Sequence, residues 1–169
     1  MGLFPPAPGG GKEVDYGYKG KGVLIHFLSD RNGHPIAACT TSAKGDERKM
    51  VLPLITKTTL NQLKCHVTLT RSMIILEADR GYDAAWLRQE ILNIGIFPMI
   101  PYRGKKKVIH QEACRKFNLK SERWKVERSI VWIKRKARRI ICRWERLFEN
   151  WESMVTLALI FYWMMILVR

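Results

Sequence analysis

Two carboxylates stand where chemistry on phosphate becomes possible. Asp79 ends an apolar run, Met73-Ile74-Ile75-Leu76-Glu77-Ala78-Asp79, and is followed by Arg80-Gly81-Tyr82-Asp83. Glu127 sits in Arg123-Trp124-Lys125-Val126-Glu127-Arg128, inside one of the most basic stretches of the chain. Taken singly, each reads as a solvated surface acid. Taken together, a carboxylate at the end of a buried strand and another on a cationic helix suit a divalent metal site acting on nucleic-acid phosphate. Carboxylates are hard oxygen ligands for Mg²⁺ or Mn²⁺, and a pair of such ions can clamp both the attacking and the leaving oxygen of a phosphodiester displacement. Gly81 lets the strand release into the next helix, which puts Asp79 at the carboxyl end of a strand, where α/β sheets collect ligands. Arg123 and Arg128 either contact phosphate or orient Glu127.

Composition supports a polyanionic partner. The chain has 169 residues, 30 Lys plus Arg against 15 Asp plus Glu, and a formal net charge of +15. Such an excess points to nucleic acid or an anionic membrane surface. Hydrophobic content of 47% argues against wholesale disorder. Cys39, Cys65, Cys114 and Cys142 form no CxxC pair and are expected to be ordinary thiols rather than zinc ligands. Ser29, Ser42, Ser72 and the four histidines show no nucleophile elbow or pairing motif.

The elements that position these residues follow from periodicity. Residues 1–22 are Gly- and Pro-rich and read as loop. Gly9-Gly10-Gly11-Lys12 fails as a phosphate loop, because Pro6 stands at the first Gly position and Glu13 follows Lys12. Residues 22–29 and 36–41 read as a hairpin around the turn Asp30-Arg31-Asn32-Gly33-His34-Pro35. Asp46 is expected to cap a short helix to about Leu54, with Pro53 blurring its end. Residues 73–78 read as a strand covered on both faces. A helix capped by Asp83 and stopped by Gly95 follows, then an edge strand over 96–100 containing Pro98, giving a βαβ unit. Arg103-Gly104-Lys105-Lys106-Lys107 is a basic loop, either a solvated tip or a phosphate contact.

Residues 121–151 read as one long amphipathic helix or two. Ile130, Ile133, Ala137, Ile140, Ile141, Trp144, Phe148 and Trp151 lie on one face. Lys134, Arg135, Lys136, Arg138, Arg139, Arg143 and Arg146 lie opposite and would hold nucleic acid through charge. The apolar run 154–168 covers about 22 Å against a hydrocarbon core of about 30 Å, so a buried helix and no membrane is the expectation. The segment 120–169 is thus a basic helix followed by an apolar one.

At these residues the sequence resembles the DDE transposases of bacterial insertion sequences, in the group named for a Tyr-Arg-Glu-Lys signature. Three residues separate Arg123 from Glu127, and six separate Glu127 from Lys134, as in that signature. Lys120 departs from it at the Tyr position. Asp79-Arg80-Gly81-Tyr82-Asp83 looks like the segment around the family's second catalytic Asp. Tyr18-Lys19-Gly20-Lys21-Gly22, the hairpin and Ala43-Lys44-Gly45-Asp46-Glu47-Arg48 look like the segment after its first strand. The resemblance covers nearly the whole chain.

It implies a single domain over 1–169 with a ribonuclease-H-like mixed sheet flanked by helices, and an Asp-Asp-Glu site holding Mg²⁺ or Mn²⁺. Asp79 and Glu127 would be the ligands. Arg123, Arg128, Lys134, Arg135, Arg138, Arg139 and Lys105, Lys106 and Lys107 would contact DNA. It further implies transposon-end cleavage and strand transfer, a homodimer and a bacterial cytoplasmic, nucleoid-associated location. The first catalytic Asp falls at the place of Met1, so the chain is expected to be the C-terminal part of a transposase. It would lack the first strand and be poorly soluble and itself inactive. The alternatives are a DNA-binding remnant without chemistry and a small basic membrane-associated protein.

Overall fold

The computed structural model describes residues 2–58, 74–104, 112, 114–116, 118 and 120–168. Met1, the beginning of the expected strand at Met73, and Lys105, Lys106 and Lys107 lie outside the described residues. The chain is mixed α/β and divides into two compact units, one made of residues 1–46 and 124–169, the other of residues 47–123.

In the first unit, β3 (Gly20–Ser29) is the central strand. It pairs antiparallel with β4 (Pro35–Ser42), β1 (Gly2–Leu3) and β2 (Asp15–Gly17). The hairpin follows the sequence pattern. Asp30 closes its turn by accepting the backbone N–H groups of Asn32 and His34, the local bonding that makes Asp a turn residue. The N-terminal segment departs from the expected loop. Its two short strands and the bridge from Pro6 to Gly22 lay the chain along β3. Backbone pairing accepts Gly and Pro here because β1 and β2 are very short, which propensity alone does not reveal.

The alternating positions Val23, Ile25 and Phe27 pack against two helices. α3 (Trp124–Lys136) contributes Ile130 and Ile133, and α4 (Phe148–Leu167) contributes Trp151, Val155, Ala158 and Tyr162. The long amphipathic helix expected over 121–151 breaks after Lys136. Ala137 leaves helical geometry (φ −101, ψ 67), and Arg138–Ile140 form a 3₁₀ turn. The break discards the periodic phase, so Ile141 and Trp144, expected inside, are exposed.

Arg143, expected on the basic face, is fully buried. Its guanidinium donates to the carbonyls of Lys12, Glu145 and Arg146, and lies 5.6 and 5.8 Å from the Phe148 and Trp151 rings. Arg146 donates to Gly9 O. The glycines of the N-terminal segment serve this docking. Gly11 has φ +115, and a Cβ there would meet Arg146 O at 2.5 Å.

The second unit contains α1 (Val51–Lys57), β5 (Ile74–Glu77), α2 (Ala85–Asn93) and β6 (Ile96–Met99). The expected βαβ unit forms, with β5 and β6 parallel and Ile74 opposite Ile96. α1 runs on to Lys57, because Pro53 falls in its first turn, where a missing N–H costs nothing. β5 is only partly buried and Ile75 is exposed, so the expectation of cover on both faces does not hold. Gly95, at φ +79, stops α2 as expected.

α4 is longer than the apolar run that suggested it. It is 20 residues, long and apolar enough by length and composition to cross a membrane. One stripe of it is core. Leu157, Ile160, Phe161, Met164 and Leu167 are exposed, so it is not the wholly buried helix expected.

Candidate active site

Asp79 follows the carboxyl end of β5 and opens a 3₁₀ turn at Arg80–Tyr82. Its Oδ1 accepts the Gly81 N–H at 2.6 Å, and its carbonyl accepts the Tyr82 N–H. Glycine at position 81 leaves room for this carboxylate position: an added Cβ would lie 2.7 Å from Asp79 Oδ1 and push the carboxylate away. Tyr82 is buried and donates its hydroxyl to Glu47.

Asp83 does not cap α2. The N-cap position is Ala84, without a side-chain bond. The Asp83 carboxylate is instead taken by two arginines. Oδ1 accepts Arg88 Nε and Nη2 at 3.1 and 2.9 Å, and Oδ2 accepts the Arg103 backbone N–H at 2.6 Å. Arg88 also donates to Ile100 O and lies 3.8 Å over the Tyr102 ring. Burial acts to raise the Asp83 carboxyl, but the Arg103 N–H and the Arg88 guanidinium outweigh it and hold it below the usual carboxylate range. The Arg103 side chain donates to the carbonyls of Arg80 and Gly81. Glu77, at the end of β5, accepts the Ser121 hydroxyl and the Glu122 N–H, tying down the segment that leads into α3.

In the other unit, Glu127 lies exposed in the first turn of α3. That position also suits a carboxylate on helix-dipole grounds alone. Arg128 is exposed and stands 5.0 Å over the Trp124 ring. Lys134, Arg135, Arg138 and Arg139 are all exposed, on the last turn of α3 and the 3₁₀ turn after it. Arg123 is half-buried and belongs to the unit of Asp79. Asp79 and Glu127 therefore belong to different units.

The family of the transposase DDE domain matches residues 5–163. The chain belongs to this family. It is also 34% identical over 126 residues to a Burkholderia cepacia protein assigned as a transposase for insertion sequence element IS402. That match covers 74% of the chain and 54% of the relative, so the chain spans about half the relative's length. No solved structure matches it.

For a DDE-family chain the donor chemistry is apt: Asp79 and Glu127 offer only hard oxygen, the set that Mg²⁺ prefers. Among the described residues, no group of three or more His, Cys, Asp or Glu is arranged to hold a metal ion. The sequence did not reveal that Arg88 holds Asp83 or that Arg103 bonds the turn after Asp79. For Arg103 the available signal was its place just after β6, beside the turn that follows β5 in a parallel pair; Arg88, within the helix between the strands, carried none.

Proposed function

We propose that the chain acts in DNA transposition, through metal-dependent cleavage of insertion-sequence ends and transfer of the cut strand to target DNA. The observation that carries this reading is the family match over residues 5–163. Asp79 and Glu127 are its ligands for Mg²⁺ or Mn²⁺. A bound ion of this kind supplies Lewis-acid polarisation of the phosphodiester and a more acidic water.

The chain's own side chains bind and orient. The Gly81 N–H fixes the Asp79 carboxylate. Lys134, Arg135, Arg138 and Arg139, exposed together, hold the DNA backbone through charge without reading sequence. Arg123, Arg128, Lys105, Lys106 and Lys107 are assigned to DNA on charge alone. The reading includes a ribonuclease-H-like fold, supported by an antiparallel sheet in one unit and a parallel βαβ in the other. It also includes a homodimer pairing two ends at the nucleoid.

The test is nicking of a duplex carrying the element's terminal repeats, with Mg²⁺, beside a DNA-binding assay. Nicking lost in Asp79→Asn and Glu127→Gln, with binding intact, is the expected result. Full nicking by Glu127→Gln removes that residue from the site. A second reading is DNA binding without chemistry, for which the net charge of +15 suffices. Salt-sensitive binding with no nicking by the unaltered chain selects it. Pelleting with liposomes but not with DNA selects a membrane role for α4.

A further inference from the structure

Arg103 reads from sequence as the first residue of a basic loop, a solvated tip or a phosphate contact. The structure gives its guanidinium another occupation. Nε donates to Arg80 O at 3.1 Å, and Nη2 donates to Gly81 O at 3.2 Å. The first of these carbonyls belongs to the same peptide unit as the Gly81 N–H, which donates to Asp79 Oδ1 at 2.6 Å. One rigid, planar amide thus lies between the cation and the carboxylate. A cation on the oxygen of an amide polarises its N–H, and hydrogen bonds in such a chain reinforce one another. The Asp83 N–H also donates to Arg80 O, at 3.2 Å, and reinforces the same polarisation.

The clasp is itself braced. The Arg103 backbone is fixed by its N–H to Asp83 Oδ2, and Asp83 is held by Arg88. The Asp83 and Arg88 side chains are 15% and 11% exposed. Gly81 completes the device, since any side chain there would occupy the space of the Asp79 carboxylate. Arg103 is exposed, yet its guanidinium is held by two carbonyls of a turn about twenty residues upstream.

We propose that Arg103 is the positioning residue for Asp79: it grips the Arg80 and Gly81 carbonyls, fixes the peptide between them, and so holds the carboxylate at the end of β5 in one orientation. This rests on the reading of Asp79 as a metal ligand, for which partners outside the ligands commonly set orientation and affinity.

The experiment uses the whole chain with Arg103→Ala, Arg103→Lys and Asp79→Asn. Amide hydrogen exchange is followed at Gly81 and along β5, and Mn²⁺ binding is followed by electron paramagnetic resonance of the free ion. Arg103→Ala is expected to speed exchange at Gly81 roughly tenfold while β5 stays protected, and to weaken Mn²⁺ binding about tenfold. Arg103→Lys, which lacks the two-pronged fork, should recover part of both effects. Unchanged exchange at Gly81 in Arg103→Ala overturns the inference, whatever the metal does. If Asp79→Asn binds Mn²⁺ as well as the unaltered chain, the ligand reading fails, while the Gly81 exchange still decides whether Arg103 holds the turn. If Arg103→Ala loosens β5 as well, Arg103→Lys decides: faster exchange confined to Gly81 supports the inference, and none overturns it.

Discussion

At the scale of single residues, burial decides which groups titrate. His26 is buried on β3, bonded through Nε2 to Thr41 Oγ1 at 2.7 Å, with Nδ1 unpartnered among the described residues. Burial disfavours the imidazolium and brings its pKa down to about 4. The unfolded chain, with histidine near 6.5, then binds more protons than the folded one between those values. Stability is therefore full above about pH 6.5 and is lost as pH falls towards 4, by about 3 kcal/mol in all. Asp83 has the same sign in a lower window: held below the usual range, its contribution fades only as pH falls below about 4. The two windows separate. Denaturant melts of His26→Gln should show a flat stability between pH 6.5 and 4.5, where the unaltered chain slopes. A slope that persists would assign it to another group. The place of Asp79 just after a strand end was legible because an apolar run ends on it and Gly81 follows. The role of Asp83 was not, because Arg88 and Arg103 claim the carboxylate from five and twenty residues away, and a local capping rule cannot see the second of them.

At the scale of elements, the hairpin and the βαβ unit were legible because their signals are local: turn residues between β-formers, and a helix between two apolar runs. The break after Lys136 was not, since the apolar spacing runs on through Ile140, Ile141 and Trp144 without a Gly or Pro to punctuate it. What ends α3 is tertiary. Ile140 turns into the core and Arg143 is drawn inward onto three carbonyls. The consequence is that the cationic face is not continuous as periodicity suggests: it is interrupted at the buried Arg143, while Arg146 beyond it is exposed. On the proposed function, four of its exposed members, Lys134, Arg135, Arg138 and Arg139, meet phosphate. Changing all four to Gln should lower the slope of log K against log salt by about 3.5, equally for all sequences. Changing Arg143 to Gln should leave the slope alone and lower the melting temperature instead, because it strands buried carbonyls. A salt slope that falls with Arg143→Gln would return that residue to the basic face.

Over the whole chain, two features oppose each other in solution. The net charge of +15 keeps copies apart. The exposed stripe on α4, Leu157, Ile160, Phe161, Met164 and Leu167, draws them together, since such contiguous apolar surface is uncommon on a soluble monomer. Salt screens the first over about 10 Å at 0.1 M and leaves the second intact. Rising salt should therefore drive association of the chain even as it releases DNA, a pairing of trends that charge alone does not produce. Ile160→Lys with Met164→Glu interrupts the stripe at exposed positions, where substitutions typically move stability by less than about 0.5 kcal/mol. Light scattering should then show a single small species across the salt range, with an unchanged melting temperature. Val155→Lys, on the buried stripe of the same helix, is the counter-case: it places an unpaired charge in the core and should unfold the chain. Association that survives the double substitution would move its cause away from α4.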